Sequence, residues 1–516
     1  NRLFNTSLFC SHFMIKHVLI LGGGSAGFLA AGTLKARHSN LKVTIVHSTE
    51  LGIIGVGEGT IPIIQKHLHG TMNIDPAEFF RDVRPTWKLG IRYEWGPREY
   101  FNYTFEPQLD LKYSRVPKPN GFYTWDNFEN HTVQSACMAM GRVFPKQENG
   151  APYICEGTAY HLENEPFVRY LTKYAERIGV EIIDNKVVDV AQDEHGIKSI
   201  TLESQQILEA DLFVDCSGFA SILMEKALEQ PYTSFKDRLL CDRAVVGGWM
   251  RKQDEPILPY TTSETMDCGW CWRIDHAEKV TRGYVYSSDF ISDEAAEAEF
   301  RRKNPRIDST RVIRFKSGRH AKSWVKNVVA IGNANGFVEP LEATSIGAIC
   351  FASQSLAESL AETNFSPTQS IVSNYNDYID RSWNGIVDFL TVHYKFNTRL
   401  DNEFWRACRN IDIGRAERYH QYYVDNGPSN LWKKCLIDPV DQFGLDAYLA
   451  MFIGLQVPHN NTYQPGENEW AEWRQIQAAV QRQAAAAYTQ EDALKIICSP
   501  KWNWSKDFYK QMAVGF

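Results

Sequence analysis

The sequence predicts an α/β fold: a parallel sheet flanked by helices, an associated second sheet and a mostly helical C-terminal module. Three observations carry this. Residues 17–46 pass from strand to glycine loop to helix to strand. Residues 210–218 and 328–334 each run from an apolar strand into a turn of small residues. From about residue 368, helical stretches rich in Trp, Tyr and Asn replace the strands.

The first observation is a βαβ unit. His17-Val18-Leu19-Ile20-Leu21 is an apolar run of strand type, and residues 28–34 continue with helix formers before a second apolar strand at 41–46. The loop between, Gly22-Gly23-Gly24-Ser25-Ala26-Gly27, is Gly-x-Gly-x-x-Gly in a Rossmann-like setting. Gly22 permits the tight turn, Gly24 lets backbone approach a pyrophosphate, and Gly27 lets the helix pack closely on the strand. Ser25 and Ala26 open that helix, whose free amides and positive dipole end suit phosphate. The second strand should end in an acidic residue for a ribose, yet it ends Val46-His47-Ser48-Thr49-Glu50. That contact falls either to Glu50, three residues on, or to His47 and Ser48.

Farther along, residues 165–179 read as an amphipathic helix, with Phe167, Leu171, Tyr174 and Ile178 on one face. Residues 180–190 and 197–202 read as strands around an Asp193-Glu194-His195-Gly196 turn. The Gln/Ala-rich residues 475–488 read as helix. The expected organisation is an extension over 1–13, a nucleotide-binding module with an inserted sheet over 14–367, and a helical substrate-capping module over 368–516.

Composition excludes several functions. Lys and Arg number 55 against 62 Asp and Glu, a formal net charge of −7, so there is no basic footprint for nucleic acid. Eleven cysteines without a short disulfide-framework spacing suit a reducing compartment. There is no secretory signal pattern, and the apolar stretch at 18–34 is broken by the glycine loop and short of the roughly 20 residues of a membrane span. A cytoplasmic protein with no membrane partner is expected. Cys268-x-x-Cys271 reads as a redox or zinc pair in isolation, but no second pair at ligand spacing accompanies it, so no metal is expected.

The glycine loop, the segment carrying Asp215 and Gly218, and the segment carrying Gly332 and Asn333 together resemble the FAD-dependent monooxygenase superfamily. The resemblance implies FAD rather than NAD as resident cofactor. Asn333 stands where that superfamily carries Asp. Three further stretches narrow the family: Gly55-Val56-Gly57-Glu58-Gly59-Thr60-Ile61-Pro62, Gly269-Trp270-Cys271-Trp272-Arg273-Ile274-Asp275, and residues 337–347 with Glu339-Pro340-Leu341-Glu342-Ala343-Thr344-Ser345. Together they resemble the flavin-dependent tryptophan and indole halogenases, whose Gly-Trp-x-Trp-x-Ile-Pro hallmark has Asp275 here in place of proline.

That resemblance implies a chemistry. FAD, used as FADH2, would react with O2 and a halide (chloride, bromide or iodide) to give hypohalous acid, with Gly57 and Glu58 joining the cofactor contacts. The oxidant would reach Lys88, in Pro85-Thr86-Trp87-Lys88, whose apolar neighbours make the amine a tunable acid or nucleophile. Glu342 would position the oxidant and take the ring proton as general base, and the Thr344 and Ser345 amides would hold halide. Trp270 and Trp272 would block hydroxylase-type chemistry. Glu339, followed by proline, reads as a loop turn.

The substrate implied is an aromatic small molecule, with Tyr103 and Phe105 as ring contacts and Trp405 either closing the pocket or packing. Tryptophan halogenases clamp the amino-acid end of substrate with a Tyr-Tyr pair and a Glu. Residues 435–445, the matching segment, carry neither, so an indole-like ring is expected and free tryptophan is disfavoured. A separate NAD(P)H-dependent flavin reductase is the implied partner, with homo-oligomer formation left open. The competing readings are a flavin hydroxylase that uses NAD(P)H itself, and a non-catalytic flavin-binding protein.

Overall fold

The computed structural model describes residues 14–512 apart from 53, 54, 56, 107, 108, 110–128, 155, 156, 506, 507, 510 and 511; the expected extension at 1–13 lies outside the described residues. A six-stranded sheet forms the centre, in the order Trp324–Val325, Val328–Ala330, Leu212–Asp215, His17–Leu21, Lys42–His47, Glu181–Asp184. It is parallel except at the Trp324–Val325 edge. The inner strands are buried on both faces, which is why they read as continuous apolar runs rather than alternating ones. Leu21 pairs with Asp215 and Asp215 with Ala330, so three strands end flush and their loops leave from one carboxyl edge. Ligands of open α/β sheets bind at such an edge.

The helix Ser25–Arg37 leaves the glycine loop and packs against Asn164–Arg177 and Ser345–Glu362. A second, seven-stranded sheet runs Arg311–Arg314, Arg243–Met250, Lys279–Tyr286, Gly269–Asp275, Thr261–Met266, Gly90–Glu94, Phe101–Thr104. A small third sheet joins Glu58–Gly59 and Thr86–Lys88 through Ala159–Leu162.

Two expectations are corrected. The run at 180–190 is two strands. Glu181–Asp184 ends the parallel sheet, and Val187–Asp193 pairs with Gly196–Leu202 in a separate antiparallel sheet. The chain departs where Asn185 N–H donates to His47 O at 2.7 Å, the last bond to the parallel sheet. The change to helices also falls earlier than residue 368. Among the described residues no strand follows Gly336–Phe337, and Ser345–Glu362 is already helical. That helix is buried on several faces and so lacks an obvious polar stripe. The helix at 165–179 is found as Asn164–Arg177, and 475–488 falls largely within Glu467–Ala485.

Nine described cysteines are free thiols, Cys268 and Cys271 among them, and burial pushes both of these up to about 11. No group of metal-ligating side chains occurs among the described residues, and no helix there is long and apolar enough to cross a membrane.

Asp215 ends its strand at the carboxyl edge. Its buried carboxylate accepts from Ser217 N (3.0 Å), Ser217 Oγ (2.6 Å), Leu223 N (2.7 Å) and Met224 N (2.9 Å). It ties its own loop to the following helical turn. Asp215→Ala leaves those donors buried without an acceptor and is expected to destabilise the fold by about 3–5 kcal/mol, read as a lowered Tm by circular dichroism.

Candidate active site

At the carboxyl edge the glycines leave no room for side chains. A Cβ on Gly22 (φ +125°) would fall 2.1 Å from Cys216 O, and one on Gly27 would fall 1.8 Å from Gly22 O. Gly24 differs: nothing lies within 4 Å of its Cβ position. It caps a 13-residue helix that has no side-chain cap and no acid in its first turn. Open space before free amides fits a pyrophosphate. Gly332 (φ +69°) closes against Ala26, and its neighbour Asn333, like Gly218 (φ +66°), lies in a turn at the same edge. Glu50 is exposed on a turn that Asp184 fixes through Thr49 N (3.0 Å) and Oγ1 (2.7 Å), while His47 packs beside Gly23. Asn164 secures the 57–58 segment, accepting from Gly57 N at 2.9 Å and donating to Glu58 at 3.0 Å. Burial raises the Glu58 carboxyl.

Lys88 ends a three-residue strand that is gripped on both edges. One edge pairs with Ala159–Leu162; on the other, the Gln490 side chain accepts from Trp87 N and donates to Trp87 O, each at 2.9 Å. Thr86 Oγ1 adds a 2.6 Å bond to Asp275 O. Asp275, the departure from the tryptophan motif, is itself buried and bound by Arg251 at 3.2 Å and Arg273 at 2.9 Å. The Lys88 side chain is fully buried. Its Nζ has no hydrogen-bond partner and lies 5.2 Å from the Phe105 ring centroid. Burial lowers the amine from 10.5 to about 7, against the opposing pull of Glu342. His161, on the partner strand, is held well below its ordinary range by burial and then by Lys88.

Glu342 closes the 3-10 turn Pro340–Glu342, followed by Ala343 in the left-handed region (φ +54°). A Cβ on Gly59 would lie 3.3 Å from both Lys88 Nζ and Ala343 Cβ, so glycine there brings the lysine strand against the glutamate loop. The Glu342 carboxylate accepts from Tyr93 O–H and meets His393 Nε2 at 2.7 Å. Thr344 and Ser345 open the next helix, which has no side-chain cap and no acid in its first turn.

Glu339, expected to be an ordinary loop residue, is fully buried. Trp270 Nε1 donates to it at 2.9 Å, and Tyr394 O–H donates to the same oxygen. Burial raises this carboxyl to about 7, against those two donors. Adjacent residues of the long helix Gln369–Phe396 thus receive both acids, His393 taking Glu342 and Tyr394 taking Glu339. Trp272 lies over Gly283, where a Cβ would meet its ring at 2.1 Å.

A family profile described as tryptophan halogenase matches residues 17–466. The chain belongs to the tryptophan halogenase family. It is 32% identical over 441 residues to the 7-chloro-L-tryptophan 6-halogenase KtzR of Kutzneria sp. (strain 744), covering 78% of this chain and 84% of that protein. It is 30% identical to the tryptophan 6-halogenase ThaL of Streptomyces albogriseolus, covering 77% of this chain and 80% of that one. Among solved structures, MibH, a lanthipeptide tryptophan 5-halogenase, superposes with a TM-score of 0.85 at 34% identity over 94% of each chain. The expected family and fold are therefore borne out, and this is a flavin-dependent halogenase by family.

Within this halogenase Tyr103 is half-buried, its ring 6.1 Å from Phe389, and Phe105 flanks Lys88. Trp405 packs inside the core: its Nε1 donates to Met266 O at 2.9 Å and its ring stacks on Tyr394 at 5.8 Å. His393, Tyr93, Glu339 and Gln490 were not legible as site residues. The one local signal was an unusual His-Tyr pair at the end of an apolar helical stretch.

A buried amine without a partner should lower stability. Lys88→Met is expected to raise unfolding free energy by about 3–5 kcal/mol at neutral pH. Wild-type Lys88 has its pKa lowered to about 7 from 10.5, so its penalty is complete below about 7 and fades as pH rises toward 10.5. The variant's advantage should therefore shrink across that window in denaturant titrations.

Proposed function

We propose that this halogenase binds FADH2 along its glycine-lined carboxyl edge and halogenates an electron-rich aromatic, such as an indole, through Lys88 and Glu342. The observation that carries this reading is the fully buried, unpartnered Lys88 Nζ set against the loop of Glu342. Gly22, Gly24, Ser25, Ala26 and Gly27 would hold the pyrophosphate. Gly57, Glu58, Asp215, Gly218, Gly332 and Asn333 would border the rest, with Glu50, or His47 and Ser48, at the ribose. Bound there, the reduced cofactor supplies, with O2 and halide, hypohalous acid.

The protein's part is then local. Lys88, titrating near neutrality, donates a hydrogen bond to the oxidant and makes its halogen more electrophilic. Glu342 accepts the proton leaving the ring. The open amides at Thr344 and Ser345 bind halide. Tyr103 and Phe105 stack against the aromatic substrate. A separate NAD(P)H-dependent reductase supplies FADH2.

Recognition by ring rather than by amino-acid end is supported at 435–445. Asp438 is paired with Arg381 (2.5 Å) and Arg415 (2.9 Å), and Asp441 accepts from Phe443 N (2.9 Å) and Tyr448 O–H (3.2 Å). These acids are engaged within the protein, leaving neither to grip a substrate ammonium.

Mass spectrometry of indole, free tryptophan and a tryptophan-containing peptide, each with chloride or bromide and a flavin reductase, tests the reading. Halogenated indole or peptide is expected in excess of halogenated tryptophan. Lys88→Ala should lower product by about 10²–10⁴-fold with FAD binding unchanged. Full activity in that variant, or steady-state NADPH oxidation by the chain alone, would refute the mechanism.

A further inference from the structure

The hydrogen-bond geometry around Glu342 fixes the position of a proton. His393 Nδ1 lies 2.8 Å from Phe389 O, four residues back on the same helix. A carbonyl only accepts, so Nδ1 carries hydrogen. A neutral imidazole then has only a lone pair at Nε2, yet Nε2 lies 2.7 Å from Glu342 Oε1 with both side chains about 1% exposed. A lone pair facing a bare carboxylate in a buried site is repulsive, so a proton lies between the two atoms. Tyr93 O–H donates to the same Oε1, leaving Oε2 without a hydrogen-bond partner among the described residues.

We propose that Glu342 and His393 form a dyad that holds one proton between Oε1 and Nε2, making Oε2 the basic atom offered to the substrate. The groups facing it are Tyr93 and Tyr103 from the seven-stranded sheet and the Lys88 amine from the short strand. This inference rests on the halogenation chemistry above. There, the Lys88 ammonium gives a proton to the oxygen of hypohalous acid, which leaves as water while the carbon–halogen bond forms. The ring C–H bond then breaks, its electron pair returns to the π-system, and the proton passes to Oε2. From Oε2 it returns to the Lys88 amine. The sum is hypohalous acid plus arene giving haloarene plus water, and the dyad's own proton is not consumed. His393 is a positioning residue: it offsets the charge of Glu342 and directs its basicity to one oxygen.

Nitrogen-15 NMR of histidine-labelled protein without flavin, at neutral pH, reads the dyad directly. The resonance lost in His393→Gln or His393→Asn identifies the ring. Expected are a protonated Nδ1 and an Nε2 displaced from the free lone-pair position, with Nε2 moving back toward that position in Glu342→Gln. A protonated Nε2 with bare Nδ1, or a lone-pair Nε2 unmoved in Glu342→Gln, overturns the proposal. In turnover, His393→Gln with intact FAD affinity is expected to lose about a hundredfold in halogenated indole while a dye that traps hypohalous acid captures more of it. Wild-type product yield in that variant overturns the dyad if Lys88→Ala and Glu342→Gln are inactive. If those two variants keep full activity, the halogenation mechanism itself fails, and the NMR result still decides the dyad.

Discussion

Two carboxyl groups taken out of water by one short loop set the terms for everything around them. Burial of an acid is tolerated only where donors replace lost hydration. Here the donors come from separate places: Tyr93 and Trp270 from two strands of one sheet, His393 and Tyr394 from neighbouring positions on one helix. The loop at 339–342 therefore fastens sheet to helix. A shift of either would strand a buried charge, a far larger loss than that of an apolar contact. The lysine opposite has the reverse character, held by its backbone on both edges while its amine is left unpaired.

The carboxyl edge of the parallel sheet was legible because it is local. A glycine loop between strand and helix announces its geometry, and the apolar runs at 210–218 and 328–334 became the neighbouring strands of the same sheet. Lys88 and Glu342 could be assigned by resemblance, but their surroundings could not. His393 lies 51 residues from Glu342 in the chain, and Gln490 lies 403 from Trp87. Such pairings are decided by tertiary packing and leave no periodicity behind. Glu339 illustrates the limit: a Glu-Pro dipeptide reads as a surface turn, and only the enclosing sheet and helix turn it into a buried acid.

Asp275 and Asp215 show what the surroundings add to a position in a motif. Proline at 275 would complete the motif, but two arginines occupy the space beside this carboxylate, and its backbone oxygen anchors the strand of Lys88. Asp215, at the end of a central strand, uses its oxygens to shape the loop that follows.

The free cysteines acquire a meaning beside this chemistry. In a protein whose family chemistry is oxidative, it is the thiolate that is oxidised most readily. Burial raises the thiols of Cys216, Cys241, Cys271, Cys350 and Cys408, the second and last of these also under the influence of Glu339. Each is thereby kept in its less nucleophilic form. The dense packing that aligns the two acids thus also holds these thiols in the form that oxidants attack least readily.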